Sequence, residues 1–213
     1  MANTDFTVIR HGQTAENLKG LLQGHTDTVL DQLGLIQAQC AAERLRGETF
    51  DRIFSSDLKR AMQTAQAITD VIGGNAIPLP ALREWHLGEL ENRPCAELWE
   101  KYPRIMDSFK YEGCDVAVPG GETRSQFNKR LADCIDSLAA QYEGERILLV
   151  THGGALRAIF RRIVGPAADN VMLPLVSNAA YSRFCKRGDR WQLCCWNDVS
   201  HLKNIGFRES VTF

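Results

Sequence analysis

The sequence has no Cys-x-x-Cys pair among its seven cysteines, no His-Glu-x-x-His run among its five histidines, and no Gly-x-x-x-x-Gly-Lys loop. These absences argue against a dithiol or zinc-ribbon site, a helix-borne metallohydrolase centre and a mononucleotide site of the Walker type. Unpatterned cysteines in odd number read as reduced thiols that pack as small hydrophobes. The adjacent Cys194 and Cys195 would point to opposite faces of a strand, which disfavours a bond between them. No apolar run approaches the roughly 20 residues of a membrane span. The opening Met-Ala-Asn-Thr-Asp lacks the basic and apolar regions of a signal peptide, so the expected location is cytoplasmic. A formal net charge of -1 gives no reason to expect nucleic acid or an anionic membrane as partner. Any anion site must be a local concentration of positive charge.

What is present fits one soluble domain. The 213 residues are 44% apolar and 24% charged, enough to bury a sizeable core without disulfides or a structural metal. Phe6 to Ile9 is a short apolar run ending at Arg10-His11-Gly12, and Asp51 to Ser56 is a second strand, with Ser56-Asp57 as the expected helix cap. Leu58, Ala61, Met62, Ala65, Ile68 and Ile72 then share a helix face. Phe127, Leu131, Cys134, Ile135 and Leu138 mark a helix between Thr123 and Gln141. Ile147 to Thr151 is a third strand, ending in His152-Gly153-Gly154, and leads into a helix carrying Leu156, Ile159, Phe160 and Ile163 inward. Val176 to Cys185 and Trp191 to Trp196 read as two late strands. Alternating strands and helices predict an α/β fold, a mostly parallel sheet with helices on both faces. Residues 1–213 form a single expected domain. Its least regular part runs from Pro103 to Gly121, and 92–122 is taken as an insertion or lid over the site.

Two strands ending in histidine-glycine are the chemical signal. In open α/β sheets ligands bind beyond the carboxyl ends of the strands. If the two strands are neighbours, His11 and His152 lie side by side there, with glycine backbone free to approach an anion. Either histidine alone reads more readily as a loop residue than as a catalyst. Phosphoryl transfer gives the pair a purpose, because its catalysis is mostly positioning and neutralisation of charge on the phosphoryl oxygens. Arg10 adjoins the first histidine, and Arg60 sits in the first turn of a helix. Taken alone, Arg60 reads as a solvated helix arginine. A neutral imidazole is a competent nucleophile, and nearby cations keep it neutral.

These residues resemble the histidine phosphatase superfamily, also called the phosphoglycerate mutase-like family. The resemblance rests on Arg10-His11-Gly12 with Thr14, Asn17, Gln23-Gly24 and Asp27; on Ser55 to Ala65; on Leu82-Arg83-Glu84 with Gly88; on Pro119-Gly120-Gly121-Glu122; and on Val150 to Gly154. Trp196-Asn197-Asp198 and Ser200-His201-Leu202 also fit. The match runs in order along nearly the whole chain. It implies a three-layer sandwich and a two-step reaction without cofactor or metal. His11 would take the phosphoryl group, while Arg10, Arg60 and His152 would bind its oxygens with Asn17, Gln23, Gly24 and Gly153. Glu84 would protonate the leaving oxygen and then deprotonate water; Glu89 and Glu91 are nearby rivals. Where the family commonly has a glycine this chain has Asn92, which tolerates similar backbone angles.

Trp85 follows Glu84, where mutases of the family typically carry a basic residue, and Gly153 stands where they usually carry asparagine. Both features favour a broad-specificity or α-ribazole-type phosphatase acting on a small phosphorylated metabolite. A 2,3-bisphosphoglycerate-dependent phosphoglycerate mutase is the alternative, and a non-catalytic phosphate-binding regulatory module is a second. Trp85, His86, Trp99, Phe109 and Tyr111 are candidates to line a pocket for a bulky or apolar group. A homodimer is left open.

Overall fold

A computed structural model describes residues 3–110, 115–165 and 174–205. The elements run β1 (Asn3–Arg10), α1 (Ala15–Lys19), α2 (Gln32–Arg44), β2 (Arg52–Ser55), α3 (Lys59–Ile72), β3 (Ile77–Pro78), α4 (Cys95–Lys101), α5 (Pro103–Lys110), α6 (Arg124–Gln141), β4 (Arg146–Thr151), α7 (Gly153–Val164), β5 (Tyr181–Arg187) and β6 (Arg190–Asp198). The strands form one sheet in the order β3-β2-β4-β1-β5-β6. The pairs β3–β2, β2–β4 and β4–β1 are parallel, while β1–β5 and β5–β6 are antiparallel, so β5 alone runs against the rest. This is the expected α/β sandwich. Among the described residues no helix is long and apolar enough to cross a membrane.

The central strands read as continuous apolar runs because both faces are covered. Period-two alternation divides them: Phe6, Val8, Phe54, Ile147 and Leu149 enter one cluster with Leu131 and Ile135 of α6 and Leu156 and Ile159 of α7. Ile9, Ile53, Leu148 and Val150 enter the other, with Ala41, Ala42, Ala61, Ala65 and Ile68 of α2 and α3. Helices α2 and α3 therefore lie on one face and α6 and α7 on the other. A crevice opens between them at the carboxyl edge of the sheet, as such a switch in direction requires.

Local chemistry sets the helix ends. Asp31 caps α2 by accepting from the Gly34 N–H at 2.7 Å, and Thr123 and Gln126 form a reciprocal capping box on α6. At α3 the expected Ser56-Asp57 cap is replaced. Leu58 is the N-cap residue, and the carboxylate of the distant Asp27 accepts from the Lys59 N–H at 2.7 Å. Asp57 is instead paired with Arg83. The stretch from Pro103, expected to be irregular, begins with α5, whose first residue is the proline, where a missing N–H costs nothing. The strand expected from Val176 starts only at Tyr181.

Within 92–122, the described residues pack on the core through Leu98, Ile105, Met106 and Val118. Asn92 has φ 61°, the left-handed conformation its glycine-like position suggests. Trp99 of α4 also packs against this core. Tyr111 and the side chain of Phe109 lie outside the described residues.

Two glycines set how closely α2 approaches the loop after β1. A Cβ on Gly34 would sit 2.0 Å from the Gln13 carbonyl oxygen, and one on Gly12 would sit 2.3 Å from that of Gly34. Backbone against backbone cannot yield as a flexible side chain can. Gly34→Ala is expected to destabilise the protein by roughly 1–3 kcal/mol. Urea denaturation followed by circular dichroism measures this, and an unchanged midpoint would contradict the close approach.

Candidate active site

The parallel register sets Arg10 opposite Thr151, and the His11 N–H continues the ladder by donating to the Thr151 carbonyl at 2.9 Å. His11 and His152 are thereby neighbours, with ring centroids 5.1 Å apart in an edge-on arrangement. Both are buried. The His11 carbonyl accepts from the Ala179 N–H at 3.1 Å and from the Asn178 amide at 3.1 Å. The same amide reaches the Gly12 carbonyl and the Asn17 Oδ1. Ala179 holds φ 56°, a costly conformation for alanine, in the turn that presents Asn178.

Hydrogen bonds assign the imidazole protons. His11 Nδ1 lies 2.6 Å from the Gly12 carbonyl, which can only accept, so Nδ1 carries the proton and Nε2 keeps its lone pair. Burial, then the charges of Arg60 and Arg10, hold the His11 pKa well below 6.5. His152 is arranged differently. Arg60 Nε donates to His152 Nδ1 at 3.2 Å, so His152 Nε2 carries the proton and donates to Ser56 Oγ at 2.8 Å. Burial and Arg60 likewise hold its pKa well below 6.5. With both nitrogens engaged, His152 braces Arg60 and is absent from the cavity lining, whereas the family resemblance had it binding the phosphoryl oxygens.

Arg60 is only 1% exposed, which departs from the solvated helix arginine that the residue resembles in isolation. The protein solvates it with the Thr26 carbonyl at 2.7 Å, the Gly24 carbonyl at 2.8 Å and the His152 ring. Burial lowers the pKa of Arg60 to about 10, and that of Arg10 also to about 10, leaving both cationic at neutral pH. Arg10 also donates to the Val176 carbonyl. The loop around Arg60 is stapled by Glu91, whose carboxylate accepts from the His25 and Leu87 N–H groups and from Thr26 Oγ1. Glu91 is therefore not the solvated loop carboxylate its position suggested, and it does not line the cavity that Glu84 lines. Glu89 is exposed.

Arg10, His11, Asn17, Gln23, Gly24, Arg60, Glu84, Trp85 and Gly153 all line one cavity of about 870 Å³, its open mouth included. Glu84 is the only carboxylate among the described lining residues. The Trp85 and Gly154 N–H groups, each at 2.8 Å, hold its oxygens, and a Cβ on Gly154 would sit 2.2 Å from Oε1. Gly154 is thus small so that Glu84 can be where it is. Trp85 stacks on Phe127, with centroids 5.6 Å apart, and donates to the Glu122 carbonyl. His86 does not line the cavity. It stacks on His25 at 4.6 Å, drawn outward beside Glu91. Trp99 is also absent from the lining.

Sequence reasoning missed Asn178, which fell inside an expected strand, and Arg124, Asn128, Arg157 and Arg161, which also line the cavity. Arg157 and Arg161 follow Gly153 at spacings of four residues, a pattern that puts all three on one helix face and was available in the sequence.

Burying neutral histidines links stability to pH. Unfolding exposes rings that take up a proton below their ordinary value of 6.5, whereas the folded rings, held well below it, do not. The unfolded state therefore binds more protons as pH falls below about 6.5, and the native state loses stability there, by up to about 1.4 kcal/mol per pH unit for each ring. His25 and His201 are shifted in the same direction and add to the slope. Replacing His11 by Gln should reduce the slope of unfolding free energy between pH 6 and 5. An identical slope in wild type and variant would mean that His11 is not held neutral.

The model of the histidine phosphatase superfamily (branch 1) matches residues 6–199. A metal-independent phosphoserine phosphatase of Arabidopsis thaliana is 37% identical over 207 residues, covering 96% of this chain and 85% of the relative. Phosphoglycerate mutase-like protein 4 of the same plant is 36% identical over 209 residues, covering 97% and 90%. The solved structure of a mycobacterial glucosyl-3-phosphoglycerate phosphatase superimposes with a TM-score of 0.81 at 30% identity, covering 91% of this chain and 98% of that one. This chain belongs to the histidine phosphatase superfamily, branch 1, and is a phosphatase of that family.

Proposed function

We propose that the protein hydrolyses small organic phosphomonoesters through a phosphohistidine at His11. The observation that carries this reading is the tautomer of His11. With Nδ1–H tied to the Gly12 carbonyl, the Nε2 lone pair is available beside two permanently charged arginines. Nε2 attacks phosphorus, the ester P–O bond breaks, and protonated Glu84 gives its proton to the leaving oxygen. Water then attacks phosphorus, the P–N bond breaks, and the Glu84 carboxylate takes the proton from that water. Arg10 and Arg60 neutralise charge on the phosphoryl oxygens in both steps, and Asn17, Gln23, Gly24 and Gly153 are read as their neighbours in phosphate binding. His152 acts by positioning Arg60. The substrate is read as a small phosphorylated metabolite and the compartment as the cytoplasm.

A phosphoglycerate mutase is the second reading, supported by the relative named for that likeness. It predicts isomerisation of 3-phosphoglycerate, primed by 2,3-bisphosphoglycerate, that outruns phosphate release.

The purified protein is expected to hydrolyse 4-nitrophenyl phosphate at an undiminished rate in excess chelator. His11→Ala should abolish that activity and Glu84→Gln should lower kcat by about 10²–10⁴. Acid-labile, base-stable label from ³²P-substrate should be trapped on wild type and not on His11→Ala. Turnover by His11→Ala comparable to wild type would refute the nucleophile.

A further inference from the structure

The Pro119-Gly120-Gly121-Glu122 motif has no part in the chemistry above, and neither Glu122 nor Arg130 lines the cavity. Both nevertheless converge on the backbone that carries Glu84. After the single turn Pro80–Leu82 the chain runs without regular structure through residues 83–87, so its carbonyls need partners from elsewhere. Three carbonyls of this stretch turn to one side chain. Arg130 Nη1 donates to the Ala81 carbonyl at 2.9 Å and the Arg83 carbonyl at 3.0 Å, and Nη2 donates to the Glu84 carbonyl at 3.0 Å. Nε and Nη2 each meet one oxygen of the Glu122 carboxylate at 2.7 Å. A guanidinium has five N–H bonds, and all five are committed here.

Glu122 is tied to the same segment in its own right. Its carbonyl accepts from Trp85 Nε1 at 2.9 Å, its N–H donates to the His86 carbonyl at 2.9 Å, and its Oε2 accepts from the His86 N–H at 3.1 Å. A Cβ on Gly121 would sit 2.4 Å from the His86 carbonyl oxygen, so this approach requires the glycine. His25 Nε2 adds a second donor to the Glu84 carbonyl at 2.9 Å. The Glu84 backbone is thus held from α6 and from the 24–26 loop, while the Trp85 and Gly154 N–H groups hold its carboxylate. A rigid fork paired with a carboxylate fixes orientation as well as distance. Proton transfer needs both, since misplacing a reacting group by about 1 Å costs on the order of 10²-fold in rate.

We propose that Arg130, held by Glu122, is a positioning residue for the proton-transfer carboxylate: without touching substrate, it sets where Glu84 stands relative to the leaving oxygen. This rests on the reading of Glu84 as the acid and base of hydrolysis.

Two esters of similar bulk separate positioning from general stability. 4-Nitrophenyl phosphate releases an acidic phenol that departs as its anion, whereas benzyl phosphate releases an alkoxide about as basic as hydroxide and needs the proton. In Arg130→Met, kcat/KM for benzyl phosphate should fall at least about tenfold more than kcat/KM for 4-nitrophenyl phosphate. With the nitrophenyl ester, kcat should fall more than kcat/KM. KM then drops and a burst of nitrophenolate precedes the steady state, because a misplaced Glu84 activates water slowly after His11 has been phosphorylated.

Arg130→Lys should recover only part of the benzyl ester rate, since an ammonium cannot span three carbonyls and a carboxylate. Glu122→Gln, which loses the ion pair and keeps the backbone contacts, should show the same selectivity in smaller measure. These two variants carry the test if Arg130→Met does not fold. Glu84→Gln is the reference. If it discriminates between the esters while the Arg130 and Glu122 variants lose both rates in equal proportion, the positioning role is overturned and the assignment of Glu84 stands. If Glu84→Gln does not discriminate either, the assignment of Glu84 fails and the positioning role falls with it.

Discussion

A buried guanidinium organises this molecule. Arg60 cannot shed its charge near neutrality, and it is withdrawn from water, so the fold has to replace its hydration shell. The Gly24 and Thr26 carbonyls do so from one side and the His152 ring from the other. Each of those groups is then fixed by something else. Glu91 staples the 24–26 loop, Asp27 of the same segment caps the helix that bears Arg60, and Ser56 holds the far nitrogen of His152. Removing any one of these contacts would loosen the others, because they share one desolvated charge.

That charge also decides the state of the histidines. Two imidazoles packed against permanent cations in the interior stay neutral, and the hydrogen bond to Gly12 chooses which nitrogen of His11 is unprotonated. On the proposed reading, nucleophilicity comes from the electrostatics of the surroundings as much as from the histidine. The close backbone contact of Gly12 with Gly34 and the grip of Asn178 on the His11 carbonyl make the ring's position a property of the whole sheet edge.

Much of the framework was legible in the residue pattern. Strands β1, β2 and β4 could be read because both their faces are buried, which leaves continuous apolar runs. Helices α3, α6 and α7 could be read from one-sided periodicity. The two histidine-glycine corners and the ordered motifs around Glu84 pointed to phosphoryl chemistry. What was not legible has a common cause. Arg157 and Arg161 look like solvated helix positions, as Arg60 does when its motif partners are ignored, since a helix pattern reports which face is apolar but not what covers the polar one. Asn178 was absorbed into a strand because its apolar neighbours resemble one. His86 was counted toward the pocket by its closeness in sequence to Glu84, and its ring turns the other way, onto His25.

Residue order alone specified the strand-turn-helix units, the presence of Arg10, His11 and His152 at their ends, the motif around Glu84, and the class of reaction they suit. Those are consequences of local periodicity and side-chain chemistry. Which histidine carries its lone pair toward the cavity, which one props an arginine, and which side chains line the cavity were decided only by tertiary packing. Burial, tautomer and field arise from segments that meet in space while lying far apart in the chain, as Arg60 and His152 do across 92 residues.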